Sequence, residues 1–175
     1  AVRLAMLLHD CGKPGCFTLD GEGTGHFYGH AQKSLELAGT VLRRLRVPRL
    51  LGERVLLLIH LHDRPVFPEE RWVKRQLGRW GEEVFFQWLA VKEADTLAQA
   101  LAFQPPRLAN LREVEAAAQA VLREGQCFSL KQLAVTGCDL LQLGIPQGPQ
   151  VGALLEQLID CCAPGRPDPA REVRA

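Results

Sequence analysis

An apolar run ending at Leu7 and Leu8 delivers a His-Asp doublet, His9 and Asp10, with Gly12 and Pro14 just behind it. Glycine and proline at those positions stop a helix. The chain is thereby committed to presenting an imidazole and a carboxylate together at a helix end, a pair suited to a hard or borderline divalent metal. Alone, the doublet says little, because His-Asp recurs by chance. Its weight comes from its company: all five histidines fall between His9 and His62, and Asp95 sits later in an apolar helical run. Histidines kept only for packing would not crowd into one third of a chain. A shared metal site is expected.

Composition says how the rest is built. At 175 residues the chain can bury a real core, as one domain with a smaller appendage. An apolar fraction of 47% and a charged fraction of 23% are those of a globular protein. Leu, Ala, Arg, Gln and Glu dominate while Ile, Thr and Tyr are scarce, which favours helices over sheet. A net charge of +1 excludes a strongly basic nucleic-acid module but leaves local patches open. No apolar run is long enough for a bilayer span and no signal-peptide layout is present, so no membrane partner and a cytoplasmic location are expected. The six cysteines form no Cys-x-x-Cys pair and read as buried, reduced thiols. Residue 1 is Ala, and Val2 to Leu8 read as the second half of a buried helix, so a piece of a longer chain is expected.

Between Cys16 and Gly29, a turn at Asp20-Gly21-Glu22-Gly23 flanked by Phe17, Leu19, Phe27 and Tyr28 predicts a short hairpin. It returns His26 and His30 towards His9. His30 to Arg46 is an amphipathic helix on Leu35, Ala38, Leu42 and Leu45, ended by Pro48. Leu50 to His62 is apolar on most sides and closes on His60, His62 and Asp63. Glu69 and Glu70 open the next helix, to about Trp80, and Glu82 to Phe103 comes after it with Lys92, Glu93 and Asp95 embedded. Pro105 and Pro106 break it, Arg107 to Glu124 is helical, and Gly125 caps that helix. Ser129 is an N-cap for Leu130 to Val135, a short helix covers Cys138 to Gly144, and a last one runs from Gln150 to Cys162. A proline-rich extended arm is expected from Pro164. The fold expected is all-α, a bundle over residues 1–125 with a small helical subdomain over 126–175.

The segment His9-Asp10-Cys11-Gly12-Lys13-Pro14 resembles the signature of the HD superfamily of metal-dependent phosphohydrolases. Gly29-His30 opening a helix, a histidine pair before Pro65, and Ala94-Asp95 in a later helix agree with it. Phe27-Tyr28-Gly29-His30, and above all Thr136-Gly137-Cys138-Asp139-Leu140-Leu141-Gln142-Leu143-Gly144-Ile145-Pro146-Gln147-Gly148-Pro149, look like the rear half of bacterial tRNA nucleotidyltransferases. These are the CCA-adding enzymes, kin to poly(A) polymerases, that carry an HD domain. The resemblance spans nearly the whole chain.

The resemblance implies an HD-type helical bundle in which His9, Asp10 and Asp95 match three of the four positions of the metal set. His30 and His62 match the extra histidines of members with two metals. The expected cofactor is a divalent ion (Mn, Ni, Co, Fe or Mg), weakly bound, because the first histidine of the family's set would lie upstream of Ala1. A metal-activated water would attack phosphorus in a phosphomonoester or cyclic nucleotide, with Asp10 and Lys13 in catalytic roles. Two departures stand out: the tandem histidine pair is split as His60-Leu61-His62, leaving open which one faces the metal, and Ala31 stands where a Glu often follows the helix-opening His. The family's nucleotidyltransferase head is absent, so this chain is not expected to add nucleotides. A second reading is a tRNA-binding body with a vestigial site. For it, Arg71, Arg75 and Arg79, four residues apart with Lys74 adjacent, form a basic stripe fit for a tRNA backbone; an ordinary solvated face is the plain alternative.

Overall fold

The computed structural model describes residues 1–161, so the arm expected from Pro164 and the helix end expected at Cys162 lie outside the described residues. Among those residues it has eight α-helices and a two-stranded ribbon, as an all-α bundle requires. In chain order these are α1 (Val2–Leu8), β1 (Thr18–Leu19), β2 (Gly25–His26), α2 (His30–Arg44), α3 (Arg49–Leu61), α4 (Glu70–Trp80), α5 (Glu82–Leu97), α6 (Gln104–Arg123), α7 (Gly137–Gln142) and α8 (Pro149–Cys161). None of the helices is long and apolar enough to cross a membrane.

The chain divides into two compact units. The first joins Ala1–Val66 to Glu83–Leu111. Its core is Ala5 and Leu8 of α1, Ala38 and Leu42 of α2, Val55, Leu58, Ile59 and Leu61 of α3, and Phe85, Trp88 and Val91 of α5. The inward face of α2 reads Ser34, Ala38, Leu42, one side of a helix at four-residue steps. Leu45, expected on that face, is exposed, because α2 ends at Arg44 and Arg46 turns the chain with a φ of 52° ahead of Pro48. α3 packs against both α1 and α2, which is why it is apolar on most sides.

Three boundaries differ from expectation for local reasons. α5 stops at Leu97 rather than Phe103, because the Gln104 amide takes the carbonyls of Leu97 and Gln99 (3.1 and 2.7 Å). Pro105 and Pro106 do not break a helix but sit in the first turn of α6, where a missing N–H costs nothing. Ser129 and Gln132 do form a capping box, yet it opens only one 3₁₀ turn, Leu130–Gln132, since Leu133 is extended.

The second unit joins Phe67–Glu82 to the chain from Arg112 onward and buries Val73 and Leu77 of α4, Val114, Ala118 and Val121 of α6, and Leu140 of α7. Thr136 and Asp139 cap α7 reciprocally, and Gly144 closes the turn behind it with a φ of 85°. Cys11, Cys16 and Cys127 are half-buried free thiols and Cys138 is exposed, so the described cysteines are less sheltered than expected.

Candidate metal centre

The cleft lies wholly within the first unit. It has a volume of about 290 Å³ and is lined by His9, Asp10, Lys13, His30, His62, Asp63, Asp95, Ala98 and Gln99. Each of its histidines sits at a helix boundary: His9 caps the end of α1, His30 begins α2, and His62 caps the end of α3. Each donates its Nδ1 proton to the carbonyl three residues earlier: His9 to Met6 (2.8 Å), His30 to Phe27 (2.9 Å) and His62 to Ile59 (2.6 Å). With Nδ1 committed, the neutral tautomer leaves a lone pair on Nε2. All three Nε2 atoms turn into the cleft.

Asp10 stands between two groups of donors. Its Oδ2 is 3.2 Å from His9 Nε2, and Asp95 Oδ1 is 3.4 Å from the same nitrogen. Its Oδ1 faces the other way, 3.4 Å from His30 Nε2 and 3.9 Å from His62 Nε2. His9-Asp10-Asp95 and Asp10-His30-His62 are each a set whose ligand atoms lie within 4.8 Å of one another. The two sets share one carboxylate.

The donors are poorly satisfied by one another. His9 Nε2 and Asp10 Oδ1 are buried without a hydrogen-bond partner, since the nearby carboxylates and imidazoles are not aligned as donor and acceptor. His30 and His62 bring their Nε2 atoms to 3.3 Å, lone pair against lone pair once both Nδ1 protons are engaged. Orphaned buried acceptors are rare and costly, and a group of them calls for a cation. The mixed imidazole and carboxylate set suits a divalent transition ion or Mg better than a closed structural zinc.

In the metal-free chain a proton can take the place of a cation at His9. The Asp95 carboxylate holds the His9 imidazole above its ordinary pKa against the opposing effect of burial, and His9 in turn holds Asp95 below the usual carboxylate range. Burial pushes His62 down, so it is a neutral donor at neutral pH. Lys13 places its ammonium 2.5 Å from Asp10 Oδ2 and 5.7 Å from the Phe27 ring centre.

The structure decides between the split histidines: His62 is buried in the cleft, and His60 is exposed outside it. His26 stays on the ribbon, paired with Asp20 at 2.8 Å and stacked on Tyr28. Gly12 does not end α1 with a left-handed residue. Its φ is −84°, and its N–H donates to Ser34 Oγ at 2.9 Å. It is glycine because a Cβ there would lie 2.5 Å from Ser34 N and 2.7 Å from His30 O, and this close approach carries the doublet onto the start of α2.

Arg71, Arg75 and Arg79 lie exposed along α4. Lys74 does not join them. It is buried, its ammonium tied to Glu70 one turn back at 2.9 Å, because the inward side of α4 needs its alkyl stem as packing.

Two residues of α5 to which the sequence assigned no role in the site hold it together. Trp88 donates to the Leu61 carbonyl (2.9 Å), and Lys92 donates to the carbonyls of His62 and Arg64 (2.9 and 3.0 Å). With Asp95 they occupy one side of α5 at steps of four and three, a pattern readable in advance had Lys92 been taken as an inward donor.

No family model and no solved structure matches the chain. Over 99% of its length it is 33% identical to a CC-adding tRNA nucleotidyltransferase of Thermus thermophilus, of which it covers 38%. It is 29% identical, again over 99% of its length, to an A-adding tRNA nucleotidyltransferase of Deinococcus radiodurans, of which it covers 40%. The chain thus resembles tRNA nucleotidyltransferases throughout and spans about two fifths of the length of these relatives.

Proposed function

We propose that the cleft is an HD-type metal-dependent phosphohydrolase site within a tRNA nucleotidyltransferase-like protein, acting on phosphomonoesters or cyclic nucleotides. The observation that carries this reading is the orientation of the donors. Three histidines with their Nδ1 protons tied to backbone carbonyls aim Nε2 at two carboxylates, and His9 Nε2 and Asp10 Oδ1 are left buried with no partner.

His9, Asp10 Oδ2 and Asp95 Oδ1 would hold one ion, and Asp10 Oδ1 with His30 and His62 a second. Bound there, a divalent ion supplies a Lewis acid for a phosphate oxygen and a water of lowered pKa. Asp10 belongs to both sets and would be the ligand they share. Lys13 sits on Asp10 at the cleft, and its ammonium would neutralise charge developing on a phosphate oxygen bound there. The backbone bonds to Nδ1 fix ring orientation and strengthen Nε2 as a donor.

The test is hydrolysis of p-nitrophenyl phosphate and of a 2′,3′-cyclic nucleotide with Mn²⁺, Ni²⁺, Co²⁺ or Mg²⁺. Metal-dependent turnover should be lost in Asp10→Ala, with the helical circular dichroism retained. Equal turnover in that variant, or none with any ion, removes the enzyme reading.

A second reading has its own support. The end-to-end likeness to two tRNA nucleotidyltransferases and the exposed Arg71, Arg75 and Arg79 favour a body that holds tRNA through its backbone phosphates. The two readings are compatible, since they use different surfaces.

A further inference from the structure

We propose that Gln99 is the positioning residue of this centre and that Arg107 acts through it, the two together fixing which oxygen Asp95 offers to the cleft. The proposal rests on the metal reading above. Asp95 lies within the last turn of α5, and the chain leaves the helix at Leu97, where regular backbone no longer restrains the next residues. Gln99 Nε2 donates to Asp95 Oδ2 at 3.0 Å, which leaves Oδ1 as the oxygen beside His9 Nε2. A carboxylate rotates readily about its last torsion. Tying one oxygen down turns Asp95 into a one-atom ligand of set direction.

Gln99 is itself restrained at each of its polar groups. Its N–H donates to the Thr96 carbonyl (3.1 Å), and its own carbonyl accepts from Gln104 Nε2 (2.7 Å). Its Oε1 accepts from Arg107 Nη1, and the Arg107 guanidinium lies 5.7 Å from the Phe103 ring centre. The bond from Arg107 also decides the amide's orientation: with Oε1 facing the guanidinium, only Nε2 can face Asp95. A glutamine left to solvent would keep its rotamer freedom. Here each polar group of Gln99 is engaged, and the side chain lines the cleft.

The test measures Mn²⁺ binding to the 175-residue chain by the loss of free-ion EPR signal, beside urea unfolding of the metal-free protein. Gln99→Leu should weaken Mn²⁺ binding about 10- to 100-fold, the range for removing a partner of a ligand. The metal-free unfolding midpoint should stay within error. Arg107→Ala, an exposed position that is safe for folding, should shift affinity the same way by a smaller factor. Gln99→Leu with Arg107→Ala should bind no more weakly than Gln99→Leu alone, because both act on one bond. Wild-type affinity in Gln99→Leu overturns the proposal while leaving the metal reading intact, as does a fall in affinity matched by an equal fall in metal-free stability. Absence of Mn²⁺ binding by the unaltered chain, or unchanged binding in Asp95→Ala, overturns the metal reading and the positioning role with it.

Discussion

At the scale of single residues, Gly12 and the His9–Asp95 pair carry the sharpest expectations. A Cβ on Gly12 would press on backbone atoms of Ser34, His30 and Lys33, none of which can swing aside. Gly12→Ala should therefore cost about 1–3 kcal/mol as overpacking and push the doublet away from His30. Urea unfolding and Mn²⁺ affinity should both fall, and a neutral result would mean that α2 gives way freely. The pair predicts a pH signature in the metal-free chain. His9 is raised, so its stabilisation is complete below about 6.5 and fades as pH climbs through the folded value. Asp95 is lowered, so its share is complete above about 3.9 and fades as pH falls through the folded value. Melting in EDTA should show the gap between wild type and Asp95→Asn widest between about pH 4 and 6.5. A gap that does not vary with pH would separate the two groups. A metal competes with the His9 proton, so its affinity should rise with pH across the same range.

At the scale of elements, α5 is the part that assembles the cleft. Its Trp88 and Lys92 hold the end of α3 by main-chain carbonyls, and Asp95, further along the same side, meets His9. Burial pushes the Lys92 ammonium down, yet two carbonyl acceptors keep it engaged. Lys92→Met keeps the apolar stem and removes both bonds. It should cost about 1–3 kcal/mol and loosen His62, weakening a metal at the Asp10-His30-His62 set more than at the other. Competition between Mn²⁺ equivalents in the variant would show one class of site lost first; equal loss at both would place Lys92 outside the site's support. The ribbon plays no comparable part, since His26 is engaged by Asp20.

At the scale of the whole molecule, the question is what the exposed arginines of α4 do. Replacing Arg71, Arg75 and Arg79 with Ala should weaken tRNA binding by the chain and flatten its salt dependence by about one unit of slope per lost phosphate contact. Lys74→Ala should leave that slope alone, because its ammonium faces Glu70 inside. Unchanged slope in the triple variant would return the stripe to ordinary surface. Hydrolysis at the cleft should be indifferent to the same three substitutions.

The part that the sequence determined by itself was local. Helix periodicity, the glycine-rich turn and the capping residues Ser129 and Gly125 all act within a few residues, so they were legible without the fold. The crowding of histidines beside the His9-Asp10 doublet pointed to one polar site, though not to which of them would meet. Tertiary structure decided whatever depends on distance between segments. It chose His62 over His60, because only the residue capping α3 turns its ring inward. It turned Lys74 to the interior and explained Gly12 by the closeness of α2 rather than by helix termination. It also recruited Lys92, whose carbonyl partners on His62 and Arg64 belong to a segment far away in sequence. Propensity and capping are short-range, whereas the satisfaction of a buried donor or acceptor is settled by whichever part of the chain arrives beside it.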